Sequence, residues 1–168
     1  MSTFYFDASD GGPTDPDTAW QNTANAFDGS LSTVAQANIA NMNGSTSTQY
    51  LMGEGTNAPS MGLTIYQVKA RLYGSVALEA HTYGAAIYTD SLGELLGTAT
   101  KSDASTGWGN YAILSEPTGG WTWTKLQALE VKIYATDNGT SVPGVWRVEI
   151  EVYSDPIPGR IYRIQGFQ

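Results

Sequence analysis

A chain of 168 residues is long enough to form one domain with a buried core. Apolar residues make up 41% of it and charged residues only 14%, which excludes general disorder, and the lack of cysteine excludes disulfides and zinc–thiolate sites. The net charge of −8 provides no basic footprint for nucleic acid and disfavours anionic membrane surfaces, so we expect neither as a partner.

The first residues carry neither the basic region nor the apolar region of a secretory signal peptide. No apolar run approaches the roughly 18 residues of a membrane span. We therefore expect no export signal. That leaves a cytoplasmic protein, a mature form, or a component of a virus particle that is released by lysis.

Residues 1–24 are predicted to form an N-terminal arm and loop. The segment opens with the apolar residues Phe4, Tyr5 and Phe6, which predict an edge strand in this chain or on a neighbouring subunit. The Asp-, Gly- and Pro-rich stretch that follows, as far as Trp20, is typical of loops.

Residues 25–154 are predicted to form one β-sandwich domain. Short alternating or apolar runs bounded by turn residues predict its strands. They lie at residues 48–52, 64–73, 77–79, 85–89, 95–99, 111–115, 129–135 and 146–153, with one short helical turn at 124–128. About eight strands at regular spacing predict an all-β fold, an antiparallel β-sandwich of jelly-roll type.

The clearest alternation lies in the last two predicted strands. The apolar face of the final strand consists of Trp146, Val148, Ile150 and Val152. Before it, Asn138-Gly139 favours a tight reversal and Pro143 cannot continue a central strand. We predict that the two strands pair as a long antiparallel hairpin with a wide loop.

Residues 155–168 are predicted to form an extended C-terminal arm, because two prolines open it. Its apolar residues are Ile157, Ile161, Tyr162, Ile164 and Phe167. Burying such side chains is worth roughly 1.5–3 kcal/mol each, so we expect the arm to dock on its own sandwich or on a neighbour. Together with residues 4–6, it predicts a homo-oligomer, with a trimer favoured.

Catalysis finds little support in the sequence. His81 is the single histidine, and no familiar nucleophile, phosphate-loop or metalloprotease motif occurs. Glu149 and Glu151 share a strand face about 7 Å apart, the separation of a glycosidase acid/base pair. The ordinary explanation of the two glutamates is charge pairing with Arg147, and with Lys132 across the hairpin. In that interpretation they lie on a solvated strand face. We therefore expect no enzyme.

Asp15, Asp17 and Asp28 lie in loop-forming sequence. Calcium takes several oxygen ligands from such loops, so these three residues are weak calcium candidates. Aspartate in Asp-Gly and Pro-Asp contexts also caps turns, and both interpretations stay open.

Three aromatic residues are candidates for stacking on a glycan. Tyr134 and Tyr153 lie on the polar sides of their predicted strands, and Trp108 lies in a Gly-flanked loop. Flat aromatic rings suit sugar stacking and protein interfaces, and they also pack beneath loops at the rim of a fold.

Residues 25–35, N-A-F-D-G-S-L-S-T-V-A, are similar to the opening of discoidin-like, galactose-binding-type jelly rolls. Ala26, Asp28, Gly29 and Thr33 match that pattern, and Val34-Ala35 replaces its tryptophan. The resemblance implies a carbohydrate-binding module. It also implies calcium as a candidate cofactor, since such modules often hold a structural calcium near their first strands.

Residues 25–33, 121–134 and 146–152 resemble small β-sandwich proteins of bacteriophage virions. This resemblance implies a structural protein without enzymatic activity, a capsid decoration or a tail- or fibre-associated protein located in the virion. In that interpretation its partners are further copies of itself and other virion proteins. The alternative function is the carbohydrate-binding module.

Overall fold

The computed structural model describes residues 1–16, 20–37, 48–75, 83–102, 105–136 and 143–155. Within these ranges the chain forms eleven β-strands, one short α-helix and two short 3-10 turns. The strands are β1 (Ser2–Thr14), β2 (Trp20–Gln21), β3 (Ala35–Ala37), β4 (Thr48–Thr56), β5 (Ile65–Ser75), β6 (Tyr83–Tyr88), β7 (Leu95–Thr100), β8 (Gly107–Trp108), β9 (Ala112–Ile113), β10 (Glu130–Thr136) and β11 (Gly144–Ser154). The helix is α1 (Trp123–Gln127), and the 3-10 turns span Thr23–Ala26 and Asp90–Leu92.

The strands form two antiparallel sheets. In sheet A, β11 lies between β5 on one side and the start of β1 together with β3 on the other; β2 extends β3, and β8 and β9 extend β5. In sheet B the order is the rest of β1, then β4, β10, β6 and β7. Strand β1 therefore belongs to both sheets.

The chain crosses repeatedly between the sheets. It passes from β4 in sheet B to β5 in sheet A, returns to β6 and β7, crosses to β8 and β9, returns to β10, and ends in β11. Such alternation between two packed sheets is the jelly-roll arrangement. The prediction of an all-β antiparallel sandwich is confirmed, and β5, β7, β10 and β11 match their predicted bounds within two residues.

The core lies between the inner faces of the two sheets. Strand β5 buries every second residue, with Val68, Ala70 and Leu72 at 0% exposure, and β10 does the same with Val131 and Ile133. This alternation is the period of two that the sequence showed. Apolar burial on both inner faces is what holds the sheets together.

Helix α1 closes one end of the sandwich. Thr122 caps it by accepting a hydrogen bond from the backbone N–H of Lys125 at 3.1 Å. Trp123 and Leu126 are buried, and the Trp123 indole donates to the carbonyl of Leu63 at 2.8 Å. The predicted helical turn is thus found in place, with its apolar side chains under the sheets.

The predicted hairpin between the last two strands is wrong. Strand β10 pairs with β4 and β6 in sheet B, whereas β11 pairs with β1, β3 and β5 in sheet A. Alternation shows which face of a strand is buried, but it carries no information about which strands hydrogen-bond along its edges.

The N-terminal segment also differs from the predicted arm of residues 1–24. Phe6 is fully buried, and the ring of Phe4 packs edge-on against Trp123 with centroids 6.0 Å apart. Tyr5 points to the other side of sheet A, opposite Glu149. The apolar residues of the predicted C-terminal arm, with the rest of 156–168, lie outside the described residues.

A β-bulge changes the predicted face of Trp146. The register of β11 against β5 shifts between Val145 and Arg147. A bulge sets two residues against one, so Trp146 and Arg147 both lie opposite Tyr73. The Trp146 ring then contacts the Tyr73 ring edge-on at 5.9 Å, on the outer side of sheet A.

Truncating Phe6 tests the place of β1 in the core. We expect Phe6→Ala to lower the free energy of unfolding by about 3–5 kcal/mol, because it removes a fully buried ring and leaves a cavity. Urea unfolding followed by tryptophan fluorescence measures the change. Ile113→Ala, at a site 64% exposed, is the control and should change stability by about 0.5 kcal/mol or less. Equal effects of the two substitutions would contradict the position of β1.

Tyr83 links the two sheets. It begins β6 in sheet B, is 3% exposed, and donates its hydroxyl hydrogen bond to the carbonyl of Gly144 in sheet A at 2.8 Å. Burial raises the pKa of Tyr83 well above the usual value of about 10. The hydroxyl is therefore neutral in the folded protein at pH values where an unfolded chain would ionise it.

Tyr83→Phe should make the alkaline loss of stability shallower. Since the folded pKa is raised, the tyrosine's contribution is complete below about pH 10 and is lost as the pH rises towards the folded pKa. Near neutral pH the variant should lose about 0.5–1.5 kcal/mol with the cross-sheet hydrogen bond. Urea midpoints measured from neutral to strongly alkaline pH compare the two proteins; parallel curves would refute the linkage.

Candidate functional site

Aromatic and charged side chains are concentrated on the outer side of sheet A. The alternation that buries Val68, Ala70 and Leu72 of β5 turns the intervening residues outwards. The same holds for β11. We call this surface the aromatic face; its rings are Tyr5, Tyr73, Trp108, Tyr111, Trp146 and Tyr153, and its charged residues are Lys69, Arg71, Arg147, Glu149 and Glu151.

Glu149 is at the centre of the aromatic face and is only 2% exposed. Arg71, its cross-strand neighbour, donates from Nε to Glu149 Oε1 at 2.5 Å. Arg147, two residues earlier on β11, donates from Nη2 to Glu149 Oε2 at 3.0 Å. A buried carboxylate is stable only where partners replace its lost hydration, and here two guanidinium groups do so.

A second charged group lies one step along the strands. Tyr153 donates its hydroxyl hydrogen bond to Glu151 Oε1 at 2.5 Å and accepts one from Lys69 Nζ at 3.2 Å. Lys69 Nζ is also 3.8 Å from Glu151 Oε1, and Glu151 is 6% exposed. Both glutamates are therefore engaged by neighbours on the same face.

The predicted solvated face around Glu149 and Glu151 is wrong, as is their predicted pairing with Lys132. Strand β11 is central in sheet A, so rings and cations from both sides cover its outer residues. Lys132 is on sheet B, where its Nζ lies 3.8 Å from the centre of the Tyr50 ring. The opposing cations are Lys69 and Arg71 of β5.

The rings lie against the cations. Trp108 reaches the face from edge strand β8, with its ring centre 3.9 Å from the Arg71 guanidinium carbon and 5.2 Å from that of Arg147. The ring centre of Tyr111 lies 4.5 Å from the guanidinium carbon of Arg71. Tyr73 packs edge-on against Trp108, with the two ring centres 5.0 Å apart. Each cation–π contact contributes about 0.5–2 kcal/mol, so these contacts fix the rings in place.

The loop after the first 3-10 turn forms one side of the aromatic face. Asp28 accepts hydrogen bonds from the backbone N–H of Ser30 at 2.7 Å and from the Thr33 hydroxyl at 2.5 Å. Gly29 has a positive φ of 72°, and a Cβ there would lie 2.5 Å from the Tyr5 ring. Arg147 donates to the Gly29 carbonyl at 2.9 Å, so the discoidin-like motif borders the aromatic face.

The structure brings together two of the three predicted stacking residues. Trp108 and Tyr153 both lie on the aromatic face, and both are partly exposed. Tyr134 is on the opposite side of the molecule, on the outer side of sheet B, where its ring lies over Gly84. Burial raises the pKa of Tyr134. That a glycan stacks on any of these rings stays a prediction.

Sequence reasoning missed most of the aromatic face. The rings of Tyr111 and Trp146 and the cations Lys69 and Arg71 were not predicted to join Trp108. The alternation of residues 69, 71 and 73 was a readable signal for β5 alone. To infer that these side chains share one surface, one also has to know which strands lie beside β5.

The three calcium candidates do not assemble among the described residues. Asp15 accepts from the backbone N–H of Trp20 at 2.7 Å, and Asp28 holds its own loop; Asp17 and His81 lie outside the described residues. In the described part of the chain, no three His, Cys, Asp or Glu side chains are grouped to hold a metal ion. Calcium binding stays a prediction.

A separate cavity of about 360 Å³ is lined by residues of the β6–β7 connection and of the segment around α1. Its lining includes Asp90, Glu94 and Lys125 but no aromatic side chain and no residue of the aromatic face.

No helix in the described ranges has the length and apolar character needed to cross a membrane.

No protein-family model matches this chain, and no curated protein matches it. The solved structures to which this chain is similar include two with carbohydrate-related domains. One is chitosan-binding module 1, derived from a chitosanase/glucanase of Paenibacillus sp. IK-5: identity is 19%, 77% of this chain and 84% of that chain are covered, and the TM-score is 0.44. The other is a truncated AlyQ with CBM32 and alginate lyase domains: identity is 17%, 95% of this chain but only 36% of that chain is covered, and the TM-score is 0.49.

The identities and TM-scores are low, so neither likeness identifies a ligand for this chain. The resemblance to bacteriophage β-sandwich proteins stays a prediction.

Replacing Glu149 tests whether its ion pairs hold the aromatic face together. We expect Glu149→Gln to cost about 1.5–3 kcal/mol, because it leaves two partly buried guanidinium groups without their shared carboxylate. Glu116→Gln, at an exposed position, is the charge-matched control and should cost about 0.5 kcal/mol or less. Thermal and urea unfolding measure both. Indistinguishable variants would show that the pairs contribute nothing to stability.

Proposed function

We propose that this protein is a non-catalytic carbohydrate-binding module that holds a glycan on the aromatic face. The observation that carries the proposal is the group of partly exposed rings on the outer surface of sheet A. Trp108 is the ring to which we assign the main stacking contact. The discoidin-like motif supports the proposal from the sequence, since its loop borders the same surface.

Stacking is the first part of the proposed mode of binding. The face of an aromatic ring is electron-rich, so it attracts the polarised C–H groups on the flat side of a sugar ring. Arg71 covers part of Trp108, and the remainder of this partly exposed ring is available for stacking. Since cation–π and edge-on contacts already hold Trp108 and Tyr73, binding would lose little side-chain entropy.

Hydrogen bonding is the second part. An arginine carries five N–H donors, and Glu149 occupies only some of those of Arg71 and Arg147. Donors beside an aromatic platform match the hydroxyl oxygens around a stacked sugar ring. The separate cavity lacks such rings, which is why we place the glycan on the aromatic face.

The proposal assigns no catalytic role to Glu149 and Glu151. Although their spacing along β11 suits a glycosidase, their oxygens are engaged by Arg71, Arg147 and Tyr153. A pair that hydrolyses a glycoside needs one carboxyl group to protonate the leaving oxygen and the other to face the sugar. Engagement of both favours a structural role beneath the rings.

No specific observation favours the virion component over the glycan-binding module. That prediction drew on apolar termini, and the fold uses Phe4 and Phe6 inside its own sandwich. The apolar residues of 157–167 lie outside the described residues. The homo-oligomer, with its favoured trimer, and a location in a virion stay predictions.

Trp108→Ala tests the proposal directly. A glycan array should first identify a ligand for the wild-type chain, and calorimetry should then show about a tenfold or greater loss of affinity in the variant, as for an anchoring ring. Tyr134→Ala is the matched control, since it removes a predicted stacking ring from the opposite side of the molecule. Melting temperatures establish that both variants fold.

Two outcomes would contradict the proposal. The first is an array on which no glycan is bound, and the second is an unchanged affinity in Trp108→Ala, whether or not Tyr134→Ala loses affinity.

A further inference from the structure

The aromatic face differs in charge from the rest of the molecule. The chain has a net charge of −8, from sixteen acidic and eight basic residues. Among the described residues, three of those cations, Lys69, Arg71 and Arg147, lie on the aromatic face with the carboxylates of Glu149 and Glu151, while Asp28 accepts hydrogen bonds within the loop at its side. This surface therefore carries an excess of positive charge on an acidic protein.

The excess is localised beside Trp108. Lys69 and Glu151 balance each other, whereas Arg71 and Arg147 share the single carboxylate of Glu149. Two guanidinium charges against one carboxylate leave one positive charge without an ion-pair partner among the described residues. Both guanidinium carbons lie within 5.2 Å of the Trp108 ring centre, so that charge adjoins the proposed stacking platform.

The fold also leaves hydrogen-bonding capacity unused at this position. The side chains of Arg71 and Arg147 are 25% and 21% exposed, and their bonds to Glu149 and to the Gly29 carbonyl use only some of the five N–H donors of each. Arginine is the side chain best suited to bind carboxylate and sulfate groups, because its planar N–H groups match their oxygens.

Resting on the proposed function, we propose that the aromatic face is selective for acidic glycans, chains that carry uronic acid or sulfate groups. The sugar ring stacks at Trp108, and its anionic group lies against Arg71 and Arg147. A neutral glycan would stack without the ionic contact, and a cationic one would meet that positive charge. At physiological ionic strength charges beyond about 8 Å are screened, so the acidic remainder of the protein opposes such a ligand only weakly.

Matched polysaccharides test the selectivity on the 168-residue chain. Polygalacturonate and its methyl ester share one backbone and differ in charge; dextran sulfate and dextran form a second such pair. We expect each acidic member to bind about tenfold or more tightly than its neutral partner at physiological salt, with the difference shrinking as salt rises.

Arginine variants locate the selectivity. Arg71→Gln and Arg147→Gln should each lower affinity for the acidic member about tenfold more than affinity for the neutral member, because the neutral member loses only hydrogen bonds whereas the acidic member also loses the ionic contact. Lys132→Gln is the control, because it removes the same charge from the other side of the molecule. Where a glutamine variant fails to fold, Arg71→Lys or Arg147→Lys keeps the charge but loses the planar donor pair, and should give an intermediate loss.

The outcomes separate the two proposals. Equal affinity for acidic and neutral members, with Trp108→Ala still abolishing binding, would overturn the selectivity and leave the glycan-binding function in place. Loss of acidic binding in Lys132→Gln to the same extent would also overturn it. Absence of binding to any glycan would overturn both proposals.

Discussion

Glu149 is a carboxylate that the fold has almost removed from water, and two guanidinium groups make its position stable. Strand β11 is central in sheet A, so its outward side chains lack the solvent that an edge strand would have. A glutamate there requires cations from the neighbouring strand and from its own. Those cations in turn provide surfaces against which Trp108 and Tyr111 lie. The positions of Trp108 and Tyr111 on the aromatic face are thus linked to one buried charge.

The positions of the strands along the chain could be predicted from the sequence much better than the pairing of one strand with another. A period of two along residues 64–73 or 146–153 depends on which side of a strand is buried, and that is a local property of the chain. Which strand lies alongside depends on contacts between distant residues, and Lys132 was assigned to Glu149 for want of that information. The pairing of Arg71 with Glu149, 78 residues apart in the chain, had no local signal.

The candidate site could be predicted only in part for the same reason. Trp108 and Tyr153 were recognisable as aromatic residues in polar surroundings, whereas their common surface depends on β5 lying between β8 and β11. The bulge at Trp146 illustrates a second limit. One extra residue reversed the face of a side chain whose alternation was otherwise regular.

Strand β1 has a consequence for how this molecule opens. Its first residues hydrogen-bond to β11 and its later residues to β4, so one continuous segment contributes to both sheets. Neither sheet keeps all its pairings when β1 departs, and the two halves of the sandwich cannot separate while it stays. Amide protons in the centres of the two sheets should therefore exchange with solvent through one shared opening, so that the domain behaves as a single cooperative unit.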